Sequence, residues 1–319
     1  KKNNIAIAYI SHRLEEIGKI SDYVSVLKDG KLMATKKINN INPEEMIKLM
    51  VGRELKDIFE DEQRPNNKEI LFEVKNLKNS KFFEDVSFNI KKGEIVGFAG
   101  LIGAGRTELA LTLFGFYQSE SGKVILDGNE IDINNPTEAI NSGIVYVSEE
   151  RREKGLFTEM TVRNNLISPN LDQVSNNGIL NNLKIKQLTK NSIDQLNIKT
   201  NSDETFVLKL SGGNQQKIAL GKWLPKNPKL LIIDEPTRGV DVGAKQEVYK
   251  IIRDLSNQGT SIMLISSELP EIIGICDRTI VMHSGKINGE ILKKDFSEEL
   301  ILKYASGYSE KITNNQMEI

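Results

Sequence analysis

Ile10-Ser11-His12 to Gly30-Lys31 aligns without a gap on Ile265-Ser266-Ser267 to Gly285-Lys286, so the chain repeats itself at a constant offset of 255 residues. Identical positions include Leu14/Leu269, Ile17/Ile272, Ile20/Ile275, Asp22/Asp277, Val26/Val281 and Gly30/Gly285. Solenoid repeats have periods of about 20 to 50 residues, so this spacing predicts a duplicated domain instead. Each copy reads as an apolar run, then Leu, Ile and Ile at helical spacing, then a short strand (Val24–Leu27 or Thr279–Met282) and a glycine turn, the end of an α/β unit.

The apolar run of the first copy, Ile5–Ile10, is expected to be a buried strand. The chain starts Lys-Lys-Asn-Asn with no methionine, and nothing precedes that strand to bury it, so the front of the first copy is expected to be missing from the chain. Between the copies, Asp57–Asn67 is polar and acidic, contains Pro65, and reads as a linker.

Composition excludes several classes of function. With 319 residues, 39% apolar and 27% charged, the chain is that of an ordinary globular protein. Its formal charge of −1 provides no global basic field, so nucleic acid is not an expected partner. The single cysteine, Cys276, sits among Ile272, Ile273 and Ile275 and is expected to be a buried thiol. Its longest apolar runs, Leu230–Ile233 and Ile262–Ile265, fall far short of the roughly 20 residues that cross a bilayer, so any membrane association must come through a partner.

Glu94–Ala99 reads as a short apolar strand, followed by Gly100-Leu101-Ile102-Gly103-Ala104-Gly105-Arg106-Thr107 and a helix to about Phe114. Strand, glycine loop and helix in that order make a phosphate-binding loop: Gly100, Gly103 and Gly105 let backbone N–H groups approach phosphate oxygens, and the helix N-terminus adds its dipole. Thr107 stands where a hydroxyl ligates Mg2+, the cofactor that accompanies ATP. Arg106 replaces the usual lysine. A planar guanidinium cannot take the place of a compact ammonium without rearrangement, so ATP binding with slow hydrolysis is expected.

Leu230–Ile233 ends in Asp234-Glu235-Pro236-Thr237, which places two carboxylates at the C-terminal end of an apolar strand, where open parallel sheets bind ligands. Asp234 is the candidate Mg2+ holder and Glu235 the candidate for orienting or deprotonating the attacking water. Because both motifs must converge on one metal ion, Glu94–Ala99 and Leu230–Ile233 are expected to be neighbouring parallel strands.

Between these motifs lies Leu210-Ser211-Gly212-Gly213-Asn214-Gln215-Gln216-Lys217, which resembles the signature of ATP-binding cassette proteins. Ser211, Gly212 and Gly213 at a helix start offer a hydroxyl and bare backbone donors to a γ-phosphate held by a facing domain, and Gln215 is included in that candidate site. Together with Gly103–Glu108, Tyr146-Val-Ser-Glu-Glu-Arg-Arg and Asp234–Lys245, the resemblance extends over nearly the whole chain. It is closest to the double-cassette ATPases of monosaccharide importers of the ribose, galactose and xylose type.

That resemblance implies an α/β P-loop NTPase cassette with a mostly parallel core sheet, a helical subdomain and an antiparallel β part. It implies the end of a first cassette at 1–56, a linker at 57–68, a second cassette at 69–308 and a tail at 309–319. Glu149 takes the place of the glutamine that contacts Mg2+. Ser267 takes the place of a switch histidine that the repeat assigns to His12. Neither Phe82 nor Phe83 is expected to stack on adenine, and both are read as core residues. The implied partners are integral-membrane permease subunits, a periplasmic or lipoprotein sugar-binding protein and the missing first cassette, with the protein peripheral on the cytoplasmic face of the membrane. A soluble double-cassette ATPase of ribosomes or DNA, an importer of nucleosides or furanose-like molecules, and a dimer scaffold remain alternatives. A short acidic linker argues against the first of these.

Overall fold

The repeated stretch takes the same local structure twice. In the computed structural model, which describes residues 5–10, 14–28, 31–42, 45–46, 49 and 69–308, the first copy forms helix α1 (Leu14–Ile20) and the antiparallel strands β1 (Tyr23–Lys28) and β2 (Lys31–Lys37). The second copy forms Leu269–Ile275, Arg278–His283 and Lys286–Leu292. Both hairpins shift register at the same place, between Val26 and Leu27 and between Val281 and Met282. Both close with an equivalent bond, Ile38 N–H to the Asp22 carbonyl at 3.0 Å and Lys293 N–H to the Asp277 carbonyl at 3.2 Å.

The described residues fall into two compact units, one within Lys1–Gln63 and Gly239–Glu247, the other within Arg64–Arg238 and Val248–Ile319. In the first, Ile17, Val24, Val26, Ile41 and Met46 share a small buried cluster. Ile5–Ile10 corrects the expectation of a buried strand: the segment has no regular structure, and Ile10 is 98% exposed. Its counterpart in the second copy is paired on both sides by parallel strands, whereas no described residue of the first unit pairs with Ile5–Ile10. An apolar run without ladder partners gains nothing by extending. The linker and tail expectations, with His12, lie outside the described residues.

The second unit is built on two sheets. Strands β3 (Ile70–Asn79) and β4 (Phe83–Lys91) are antiparallel; β5 (Ile95–Gly100) then leads to helix α2 (Arg106–Leu113). After β6 (Ser121–Leu126), β7 (Asn129–Ile131), α3 (Pro136–Ser142) and β8 (Ile144–Val147), the chain enters a helical region of α4 (Val162–Ile167), α5 (Asn182–Gln195) and α6 (Gly212–Gly221). It returns through β9 (Leu230–Asp234), α7 (Val242–Asn257), β10 (Ser261–Ile265), α8 (Leu269–Ile275), β11 (Arg278–His283), β12 (Lys286–Leu292) and α9 (Glu298–Ala305).

The larger sheet has the order β12-β11-β5-β10-β9-β8, with every neighbouring pair parallel except β12 on β11. Every residue of β9 and β10 is buried, as expected of apolar runs covered on both faces of a parallel sheet. The second sheet, β4-β3-β6-β7, is antiparallel. Phe88 of its inner face meets Phe98 of β5 edge-on at 5.0 Å and Phe72 at 6.2 Å. Such pairs add about 0.5 to 1.5 kcal/mol beyond the area they bury. Phe83 is buried in the same core, and Cys276 is buried and free.

The strand order corrects one expectation. β5 and β9 are parallel but not adjacent, because β10 lies between them, pairing Ile95 through Ile262 and Asp234 through Ile265. Both still end at the same carboxyl edge of the sheet, which is all that convergence on one site requires.

In the helical region the abundant asparagines and small hydroxyls define the turns. Thr161, Asn181 and Ser211 accept hydrogen bonds from the first turns of α4, α5 and α6, caps worth about 1 kcal/mol each. Buried Asn165 braces the loop before α4 through the Phe157 N–H at 2.8 Å and the Phe157 carbonyl at 2.9 Å.

Candidate nucleotide site

The loop from Gly100 to Gly105 runs off the end of β5 into α2, and two of its glycines are dictated by their surroundings. Gly100 has φ +156° and a side chain there would meet the Met282 carbonyl at 2.6 Å; Gly105, at φ +94° just before α2, would press on the Phe82 carbonyl at 3.0 Å. Both conformations are accessible to glycine and strained for other residues. Gly103, with φ +81°, is exposed, and no described residue blocks an approach to its backbone.

Arg106, the first residue of α2, is turned into the protein. It is 8% exposed, and Nη1 donates a 2.8 Å hydrogen bond to the Ser266 carbonyl just beyond β10. Burial lowers its pKa, opposed by Glu235, Asp234 and Glu108. The guanidinium thus serves as the internal counter-ion of the two carboxylates at the end of β9.

Asp234 is fully buried. Burial pushes its pKa up, against the pull of the Thr107 hydroxyl, the Tyr146 hydroxyl and Arg106. Tyr146 of β8 donates to Oδ2 at 3.0 Å, while Oδ1 has no hydrogen-bond partner. An orphaned buried carboxylate oxygen beside a threonine hydroxyl is a donor set suited to a hard divalent cation. Thr107 and Asp234 therefore fit Mg2+, which when bound supplies charge neutralisation for phosphate oxygens.

Glu235 follows in a left-handed conformation, φ +49°, with its N–H donating to the Ile265 carbonyl at 2.8 Å. A non-glycine residue held there is strained, and such strain gathers at functional sites. Ser267 Oγ donates to Glu235 Oε2 at 3.0 Å. Burial raises the Glu235 pKa; the Ser267 bond and Arg106 oppose it. Ser267 thus bonds the carboxylate that could orient water, in the place the repeat gives to His12 in the first copy.

Glu149 is ion-paired with Arg238, whose carbonyl also accepts from Arg151 Nη1. The segment after β8 is thereby fastened to the loop that follows the carboxylates. Arg152 Nε in turn donates to Gln215 Oε1 at 2.9 Å. Gln215 is fully buried, and its amide nitrogen donates to the Val207 and Leu210 carbonyls at 3.1 and 3.2 Å. The amide nitrogen thus holds the turn that leads into α6, and the amide oxygen ties it to Arg152 after β8.

Ser211 caps α6, accepting from the Asn214 side chain at 3.0 Å, and is exposed, with Gly212 half-buried and Gly213 buried behind it. No described hydrogen bond joins this signature segment to Gly100–Thr107, Asp234 or Glu235. Phe82 lies against Tyr117, ring centres 4.8 Å apart, beside Gly105.

The sequence missed Tyr146. Its signal was register: Tyr146 pairs with Ile232, two residues before Asp234, and so shares that carboxylate's face of the sheet. The Ser266 carbonyl that accepts from Arg106 left no trace in side-chain chemistry at all.

Residues 83–238 match the family described as ABC transporter. A ribose import ATP-binding protein of Caldanaerobacter subterraneus subsp. tengcongensis is 50% identical over 308 residues, covering 96% of this chain and 62% of that protein. A putative ribose/galactose/methyl galactoside import ATP-binding protein of Halalkalibacterium halodurans is 43% identical over 332 residues, covering 100% of this chain and 63% of that one. The chain thus spans less than two thirds of the length of these relatives. Among solved structures, a nucleotide-free ATP-binding cassette from an ABC transporter superposes with a TM-score of 0.63 over 75% of this chain and 100% of its own, at 22% identity, a likeness of fold. The two-sheet core, the phosphate loop ending in Thr107, the paired carboxylates and the sequence match agree: residues 83–238 are an ATP-binding cassette of the ABC transporter family.

Proposed function

We propose that this chain belongs to the ATP-hydrolysing subunit of an importer of a simple sugar, working on the cytoplasmic face of a membrane. Its partners are integral-membrane permease subunits, a sugar-binding protein outside the membrane, and a facing cassette of the same protein. The observation that carries the reading is the meeting of Thr107, Asp234 with its orphaned Oδ1, and strained Glu235 at the mouth of the phosphate loop. The names of the relatives support sugar as the cargo.

Cassettes that face one another head to tail make two unequal sites here. At one, ATP lies on Gly100–Thr107, where the guanidinium must leave the Ser266 carbonyl to reach a phosphate, and Ser267 rather than a histidine holds Glu235. This site binds ATP and turns it over slowly. At the other, Ser211, Gly212 and Gly213 complete a phosphate loop supplied by the facing cassette, and His12 takes the position equivalent to Ser267. That site hydrolyses ATP and powers transport.

Two measurements test the reading. Equilibrium titration with ATP should show binding that Mg2+ strengthens, and the full-length protein should copurify with a polytopic permease encoded beside it. Absence of nucleotide binding would leave only a scaffold; binding without a permease partner would favour a soluble ATPase.

A further inference from the structure

Between Gln173 and Ile193 the helical region carries three lysines and no acidic residue, in a chain whose formal charge is −1. The stretch begins with a short antiparallel hairpin, Ser175–Asn176 against Ile179–Leu180, and continues into α5. Three large apolar side chains stand out at its tip: Ile179 is 75% exposed, Leu180 51% and Leu183 78%. Leu183, Lys186 and Lys190 follow one another at helical spacing along one exposed stripe of α5, while Ile185, Thr189 and Ser192 face the interior. The neighbouring acids do not neutralise this stripe. Asp172 is engaged by Lys226 at 2.7 Å, and Asp194 stands at the far end of the helix.

A cleft of about 480 Å³ opens beside the stripe; its polar lining is amides with Lys184 and Ser192, and Val174, Leu188, Leu224 and Pro225 give it an apolar part. Lys184 Nζ donates to Asn176 Oδ1 at 2.9 Å, which holds its charge at the cleft margin. Amide donors and acceptors around a cation suit a phosphate that carries hydroxyl groups.

We propose that this edge rests directly on an anionic phospholipid surface, a contact that departs from the sequence-based expectation of membrane association through a partner alone. Ile179, Leu180 and Leu183 sit at the level of the headgroups, Lys186 and Lys190 face headgroup phosphates, and the cleft beside Lys184 takes a hydroxylated headgroup such as phosphoglycerol. Exposed apolar residues next to a cationic, acid-free stripe form the pattern of interfacial membrane contact. Nucleic acid would be met by the lysines but gives no reason for bare isoleucine and leucine. The contact goes beyond ATP binding and transport and depends on neither, so its test needs no permease.

The test is sedimentation of the full-length protein with phosphatidylcholine vesicles, with and without phosphatidylglycerol. Phosphatidylglycerol should drive the protein into the pellet, and high salt should release it. Each lysine near an anionic surface contributes roughly fivefold to partitioning, so Lys186→Glu/Lys190→Glu should lower it about 25-fold or more. Ile179→Ser/Leu183→Ser should weaken it at every salt concentration, and the control Lys293→Glu/Lys294→Glu, the same charge change elsewhere, should retain it. Equal pelleting with both vesicle types, or charge-reversed protein that pellets like the parent, overturns the proposal. Variants that keep lipid binding but lose a protein partner would assign the edge to that partner and equally overturn it.

Discussion

Arg106 and Ser266 are joined between neighbouring strand ends: the guanidinium at the start of α2 donates a 2.8 Å bond to the Ser266 carbonyl, 160 residues away in the chain. The cation is thus anchored to the turn that also carries Ser267, the hydrogen-bond partner of Glu235. The glycine loop before α2 and the setting of the Glu235 carboxylate share one connection.

Arg106→Lys should tighten ATP binding by about tenfold or more. A buried hydrogen bond from a charged group is worth about 1.5 to 3 kcal/mol, and the nucleotide must give it up to recruit the guanidinium. Lysine, compact and free of the Ser266 carbonyl, avoids that cost. Isothermal titration calorimetry of both proteins decides the matter; unchanged or weaker affinity in the variant would show that the tether does not oppose binding.

Asp234→Asn should separate stability from metal use. The buried carboxylate has one oxygen without a hydrogen bond and a pKa raised by burial, so removing its charge should stabilise the nucleotide-free protein by about 1 to 2 kcal/mol. The same change should abolish the strengthening of ATP binding by Mg2+. Urea midpoints and nucleotide titrations with and without Mg2+ provide the two readouts. A destabilised variant that still responds to Mg2+ contradicts both parts.

The proposed pairing of cassettes predicts that, in the full-length protein with its permease, Ser211→Arg stops ATP turnover, since bulk and a misplaced charge block the γ-phosphate at the site assigned fast hydrolysis. Glu235→Gln should cost far less, because removing a water-orienting carboxylate matters only where hydrolysis is fast, and general-base effects are worth about 10² to 10⁴ in rate. Steady-state ATPase of both variants is the measurement. Equal and complete loss would make Glu235 catalytic.

Lys222 gives the fold a pH dependence of defined sign. Burial brings its ammonium down to about 8, and Nζ donates to the Gly155 carbonyl at 2.5 Å. An unfolded lysine titrates near about 10.4, so between the two values the unfolded chain holds more protons and stability rises with pH. Below about pH 8 the cost of the buried charge is fully present. The difference in urea-unfolding free energy, wild type minus Lys222→Met, should therefore climb through that window. A flat difference would show that the ammonium is solvated.

What the sequence determined was local. Glycines at 100, 103 and 105 before a helix, continuous apolar runs at 230–233 and 262–265, and Ser211 ahead of its glycines all act within one turn or one strand, where propensity and capping operate. The repeat legibly carried a helix and the strand after it into both copies, because both depend on residues a few positions apart. Tertiary structure alone decided the rest. It inserted β10 between β5 and β9, set Tyr146 on Asp234, tied the Gln215 amide to the turn before α6 and to Arg152, and gave Arg106 a backbone carbonyl as its partner. The common physical reason is that these outcomes depend on which strands become neighbours and which polar groups are buried together, and a carbonyl that accepts a hydrogen bond from 160 residues away is written in no side chain.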